Sequence, residues 1–113
     1  MVEMKKLNPI PLSLRERKRY IEFELISEKR LEEKDVSFQL WKDFLSLFGE
    51  IGTAKQRLWL AYWNEEKNTG ILRCSLKELE KVKAGLLFAS KIKDVKVIPR
   101  ILKVSGTIKS LKE

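Results

Sequence analysis

Apolar and polar residues alternate strictly in Arg19-Tyr-Ile-Glu-Phe-Glu-Leu-Ile26, with Ile21, Phe23 and Leu25 on one side and Tyr20, Glu22 and Glu24 on the other. A period of two marks a strand with one buried face, so the two glutamates are expected to point away from the core. After a charged connection, Ser27 to Lys34, the period changes. Val36, Leu40, Phe44, Leu47 and Phe48 recur at helical spacing, with Asp35 as the expected N-cap and Gly49 as the stop. Trp41 and Leu45 widen that stripe, which predicts a helix covered on more than one side. Residues 54 to 63, Ala-Lys-Gln-Arg-Leu-Trp-Leu-Ala-Tyr-Trp, read as a second strand. Alternation puts Leu58, Leu60 and Tyr62 on one face and Trp59, Ala61 and Trp63 on the other. Both faces are apolar, so periodicity leaves the core face open, and in a two-layer domain the second cover would be another chain.

Asn64 to Thr69 supply a polar hairpin connection into a third strand, Gly70 to Ser75. Ser75 and Glu78 then form a Ser-x-x-Glu capping box for a helix whose Leu79, Val82, Leu86 and Ala89 make the buried stripe to about Ile92. Gly85 inside it costs about 1 kcal/mol relative to Ala, and both a close backbone approach and a tolerated accident explain it. Asp94 to Leu102 give a fourth strand, where Pro99 demands an edge position or a bulge because it cannot donate to a ladder. The order βαββαβ predicts an α+β, ferredoxin-like or RNA-recognition-motif-like sandwich: an antiparallel sheet with both helices on one face. Pro9 and Pro11 make residues 1 to 14 an extended arm, residues 15 to 104 form the domain, and residues 105 to 113 form a basic tail.

The 113 residues fit one domain. The longest apolar run, Ala84 to Ala89, falls far short of the roughly 20 residues of a membrane span, and the N-terminus lacks the apolar core of a secretory signal, so the cytosol is the expected location. Charge sharpens the picture. The net +8 is distributed unevenly: residues 1 to 20 carry +4 and residues 90 to 113 carry +5, while residues 21 to 50 carry −4. Basic ends suit a nucleic-acid backbone, whose condensed counterions are released when Lys and Arg neutralise phosphates. A Lys- and Glu-rich solvated surface explains the same composition.

Chemistry narrows the choice by what is missing. One cysteine, Cys74, and no histidine exclude an internal disulfide, a zinc site, an iron–sulfur cluster and His-based catalysis. The third strand, Gly70-Ile-Leu-Arg-Cys-Ser75, lacks the aromatics of an RNA-recognition signature, and Glu22 and Glu24 would repel phosphates from the sheet face. The loop after the first strand has no glycine and three acids, unlike a phosphate cradle. The carboxylate pairs Glu32/Glu33 and Glu65/Glu66 have the chemistry to hold magnesium or act as acid and base, but adjacent loop carboxylates are ordinarily only solvated.

Several segments stand in one recognisable order: Arg15-Glu-Arg-Lys-Arg-Tyr-Ile21, Leu47-Phe-Gly-Glu-Ile-Gly52, Leu58-Trp-Leu60, Gly70-Ile-Leu-Arg-Cys74, Val82-Lys-Ala-Gly-Leu86 and Val104-Ser-Gly-Thr-Ile-Lys109. With them the chain resembles the archaeal ribonuclease P protein component 2 family, related to a eukaryotic subunit of the same particle. The resemblance implies a ribonucleoprotein that removes the 5′ leader of precursor tRNA, in which the RNA and its magnesium ions perform hydrolysis. This chain would then carry no catalytic residue, bind no cofactor and meet precursor tRNA only indirectly. It also implies ribonuclease P protein component 3 as a partner, in a hetero-oligomer that includes a self-dimer as an option. On that footing Arg15, Arg17, Lys18, Arg19, Lys91, Lys93, Lys96, Arg100, Lys103 and Lys109 are the expected contacts to RNA phosphates. Tyr20, Trp59 and Trp63 are the expected partner surface. The alternative is a protein-binding scaffold of the same fold, its charge serving solubility.

Overall fold

The structure is a computed structural model that describes residues 17–108 and 111. The arm at residues 1–14, Arg15 and Lys109 lie outside the described residues. β1 (Lys18–Ile26) is followed by α1 (Glu33–Gln56), the hairpin of β2 (Trp59–Asn64) and β3 (Thr69–Ser75), and α2 (Leu79–Leu87). A two-stranded ribbon, β4 (Lys91–Ile92) and β5 (Val95–Lys96), then leads into β6 (Ile98–Ser105). The main sheet runs β2-β3-β1-β6, antiparallel throughout, which is the ferredoxin-like order with the ribbon inserted before the last strand. β6 runs through Ser105, one residue into the expected tail, and Leu111 is buried.

The period-two pattern of β1 places Ile21, Phe23 and Leu25 against the helices, where they meet Leu72 and Cys74 of β3, Val36, Leu40 and Phe44 of α1, and Val82 and Leu86 of α2. Four sequence expectations change here. Asp35 is not the N-cap: Glu32 holds that position, and Asp35 lies in the first turn, where its charge favours the positive end of the helix dipole. Helix does not end at Gly49. That residue adopts a left-handed φ of 74°, which breaks α1 into two segments, and helix resumes through Gln56 where a strand was expected. Thr53 Oγ1 donates to the Phe44 carbonyl at 3.1 Å and pins the second segment to the first.

The capping box is absent, because Ser75 makes no cap bond and a 3₁₀ turn, Leu76–Glu78, precedes α2. That helix ends at Leu87, since residues 91–96 form the ribbon, with Lys93 and Asp94 at positive φ as a tight hairpin requires. Pro99 lies on the outer strand β6, the edge position its missing donor demands. Gly85 is a close approach: a Cβ there would stand 2.9 Å from Phe48 and 3.0 Å from Phe44, so α1 and α2 cross where only hydrogen fits.

Candidate nucleic-acid and partner surfaces

Antiparallel pairing puts the predicted basic residues at opposite ends of one strand. Arg17, Lys18 and Arg19 stand at the start of β1, where Lys18 faces Ser75, Tyr20 faces Arg73, and the Leu76 N–H donates to the Arg17 carbonyl at 2.7 Å. Lys91 and Lys96 stand at the other end, where the ribbon, the β1 terminus and Lys29 border a cavity of about 870 Å³. Nine residues of strand separate the two corners, roughly 26 Å at 3.3 Å per residue. The first corner also gathers Lys55, Arg57 and Lys77, cations that a segment-by-segment count leaves hidden in the middle of the chain. Only the kink at Gly49 and the turn before α2 bring them there.

Two predicted contacts are engaged with carboxylates of the chain. Arg100 Nη2 donates to Glu24 Oε1 at 2.9 Å, and Lys93 lies 3.9 Å from Asp35. Lys103, across from Glu22, lies on the same sheet face as Arg100. The acidic character expected of that face is thereby reduced, since Glu24 is paired.

The partner surface differs from its prediction in one tryptophan. A bulge between Leu60 and Tyr62 shifts the alternation of β2, so Leu60 and Trp63 both face the helices. Trp63 is 8% exposed, its ring lies 5.9 Å from that of Phe23, and its Nε1 donates to the Leu31 carbonyl at 2.7 Å. It belongs to the core, not to a free surface. Trp59, by contrast, is 60% exposed, with the Arg73 guanidinium 5.9 Å over its ring. Tyr20 is half-buried on the same face as Arg73.

Trp59 also borders a groove of about 290 Å³ between α1 and β2, with Trp41, Phe44, Leu58 and Leu60. Phe38 and Trp41 are exposed beside it, so α1 is covered on one side only by its own chain. β2 is the sheet's other edge. A rim of large apolar side chains next to an open strand edge is a surface that partners cover.

The remaining candidates are quieter. Glu32, Glu33 and Glu65 border one depression with Lys34 and Ser37, yet among the described residues no three carboxylates, cysteines or histidines gather closely enough to hold an ion. Cys74 is buried, and burial pushes its thiol up to about 11, so it is a small core side chain and not a reactive thiolate. Two polar side chains are left over. Ser75 Oγ and both amide atoms of Gln56 are buried without a hydrogen-bond partner among the described residues, each a cost of about 1–3 kcal/mol.

A family model described as the Rpp14/Pop5 family matches residues 19–113. The chain belongs to the Rpp14/Pop5 family. Ribonuclease P protein component 2 of Pyrococcus horikoshii is 39% identical over 109 residues, covering 96% of this chain and 91% of that one. Its counterpart in Archaeoglobus fulgidus is 44% identical over 103 residues, covering 91% and 92%. A chain in the cryo-EM structure of yeast ribonuclease MRP superposes with a TM-score of 0.63 at 9% identity, over 80% of this chain and 75% of that one. At that identity the likeness is one of fold. That chain thus shares the sandwich described above.

Proposed function

We propose that the chain is a protein subunit of ribonuclease P that supports the catalytic RNA in removing the 5′ leader from precursor tRNA. The observation that carries this reading is the length of the likeness: relatives named ribonuclease P protein component 2 match nine-tenths or more of this chain at 39% and 44% identity. The surfaces suit the role. Arg17, Lys18 and Arg19 on one side and Lys91 and Lys96 on the other contact phosphates of different RNA segments, Lys103 adds charge midway along the strand across from Glu22, and Arg15 and Lys109 extend the footprint on sequence grounds. Neutralising phosphates at two separated points holds a compact RNA together where magnesium is scarce, because protein cations replace part of the counterion atmosphere. Hydrolysis belongs to the RNA and its magnesium, and this chain serves as a non-catalytic subunit of the cytosolic holoenzyme.

The groove formed by Trp41, Trp59, Leu58 and Leu60, with Tyr20 on the adjoining sheet face, docks a protein partner, ribonuclease P protein component 3 or a second copy of this chain. The test is cleavage of a precursor tRNA by the ribonuclease P RNA of the same organism at limiting magnesium, with component 3 alone and with both proteins. Activity that appears only with both supports the reading. If this chain binds component 3 but adds no activity, the RNA-support role is wrong and the protein-scaffold reading replaces it.

A further inference from the structure

Lys55 and Arg57 from the second segment of α1 and Lys77 from the turn before α2 surround a cavity of about 410 Å³ that Ser75 also lines. Glu78 is the one acid among the described residues on its wall, and it lies 3.9 Å from Lys81, outside the cavity. Ser75 is 1% exposed and its hydroxyl has no partner among the described residues, although Thr53, equally buried, satisfies its own hydroxyl on the Phe44 carbonyl. Gln56, between Lys55 and Arg57, is fully buried with both amide atoms unpartnered among the described residues. Buried polar groups in folded proteins have partners, so a hydroxyl left without one among the described residues, on a wall shared with Lys55 and Lys77, points to an anion supplied from outside the chain.

We propose that this niche takes one backbone phosphate of the RNA, with Lys55 and Lys77 supplying charge and Ser75 Oγ donating a hydrogen bond. The inference rests on the RNA-binding reading above and names a contact point within it. The niche adjoins Arg17 through the Leu76–Arg17 backbone bond, so one RNA segment crossing this corner meets both.

The test is binding of the full chain to the ribonuclease P RNA of the same organism over a range of salt concentrations. K55Q/K77Q is expected to reduce the magnitude of the slope of log affinity against log salt by about 0.7–0.9, the value of one phosphate. K34Q/K67Q, which removes the same charge elsewhere, is expected to leave the slope unchanged. S75A is expected to weaken binding roughly tenfold at constant slope. S75A should also raise the thermal midpoint of the free chain, because an unpartnered hydroxyl is removed. A purely structural serine would move stability and binding in the same direction. If the wild-type chain binds but K55Q/K77Q keeps its full slope, or K34Q/K67Q loses as much, the niche is wrong and the broader reading stands. If the wild-type chain does not bind, both fail.

Discussion

Trp59 and Trp63 are four residues apart and chemically identical, yet the bulge in β2 sends one to solvent and the other into the core. Their truncations should therefore separate. Trp63→Ala loses the contact with Phe23 and orphans the Leu31 carbonyl, and a loss of about 3–5 kcal/mol in denaturant unfolding is expected. Trp59→Ala should leave that stability nearly unchanged while weakening association with component 3 by more than about 2 kcal/mol, as buried aromatic anchors do. Equal effects of the two on either measurement would contradict the placement. Cys74 carries a second residue-scale prediction. Burial pushes its thiol from an ordinary 9.0 up to about 11 in the folded state, which therefore binds the proton more tightly. The resulting stability is complete below pH 9 and is lost as pH rises toward 11, on the order of 2 kcal/mol in total. Unfolding free energies of wild type and Cys74→Ala measured from pH 8 to 11 should converge by about that amount.

At the scale of elements, the connection between β1 and α1 is held by residues far away in sequence. Asn68 adopts a left-handed φ of 53° at the end of the β2–β3 turn, its Oδ1 accepts from the Leu31 N–H at 3.0 Å, and its Nδ2 donates to the Lys29 carbonyl at 2.9 Å. With the Trp63 bond to Leu31, this clamp fixes where α1 begins. Asn68→Ala removes both side-chain bonds and puts Ala in a left-handed conformation, so a loss of about 2–3 kcal/mol is expected, with faster hydrogen exchange at Leu31. Unchanged exchange there would rule out the clamp. Elements of clear period were legible in the sequence: β1, the first segment of α1, and β3 all fall within a residue or two of their expected positions. The second segment of α1 was not, because Ala54 to Gln56 continue a helix only once Gly49 turns it and Phe44 receives Thr53. The ribbon and the early end of α2 were equally hidden, since Leu86, Ala89 and Ile92 share a core without sharing a helix.

For the whole molecule, the two basic corners make separable contributions to RNA binding. R17Q/K18Q and K91Q/K96Q should each reduce the magnitude of the salt slope, by about 0.7–0.9 per phosphate lost, and their effects should add because roughly 26 Å separates them, beyond a Debye length of about 8 Å. Arg100→Gln should change the slope less than Lys103→Gln, since Arg100 is spent on Glu24. If removing either pair abolished the whole slope, one corner alone would bind. The sequence by itself determined the βαββαβ order, the basic excess, the core face of β1 and the family, because these follow from local periodicity, composition and ordered motifs. Tertiary structure alone decided which of Trp59 and Trp63 is exposed, which cations share a corner and which hydroxyl lacks a partner among the described residues. A single bulged residue inverts a strand's faces, and a single left-handed glycine redirects a helix. Convergence of residues forty positions apart depends on that geometry and leaves no period in the chain.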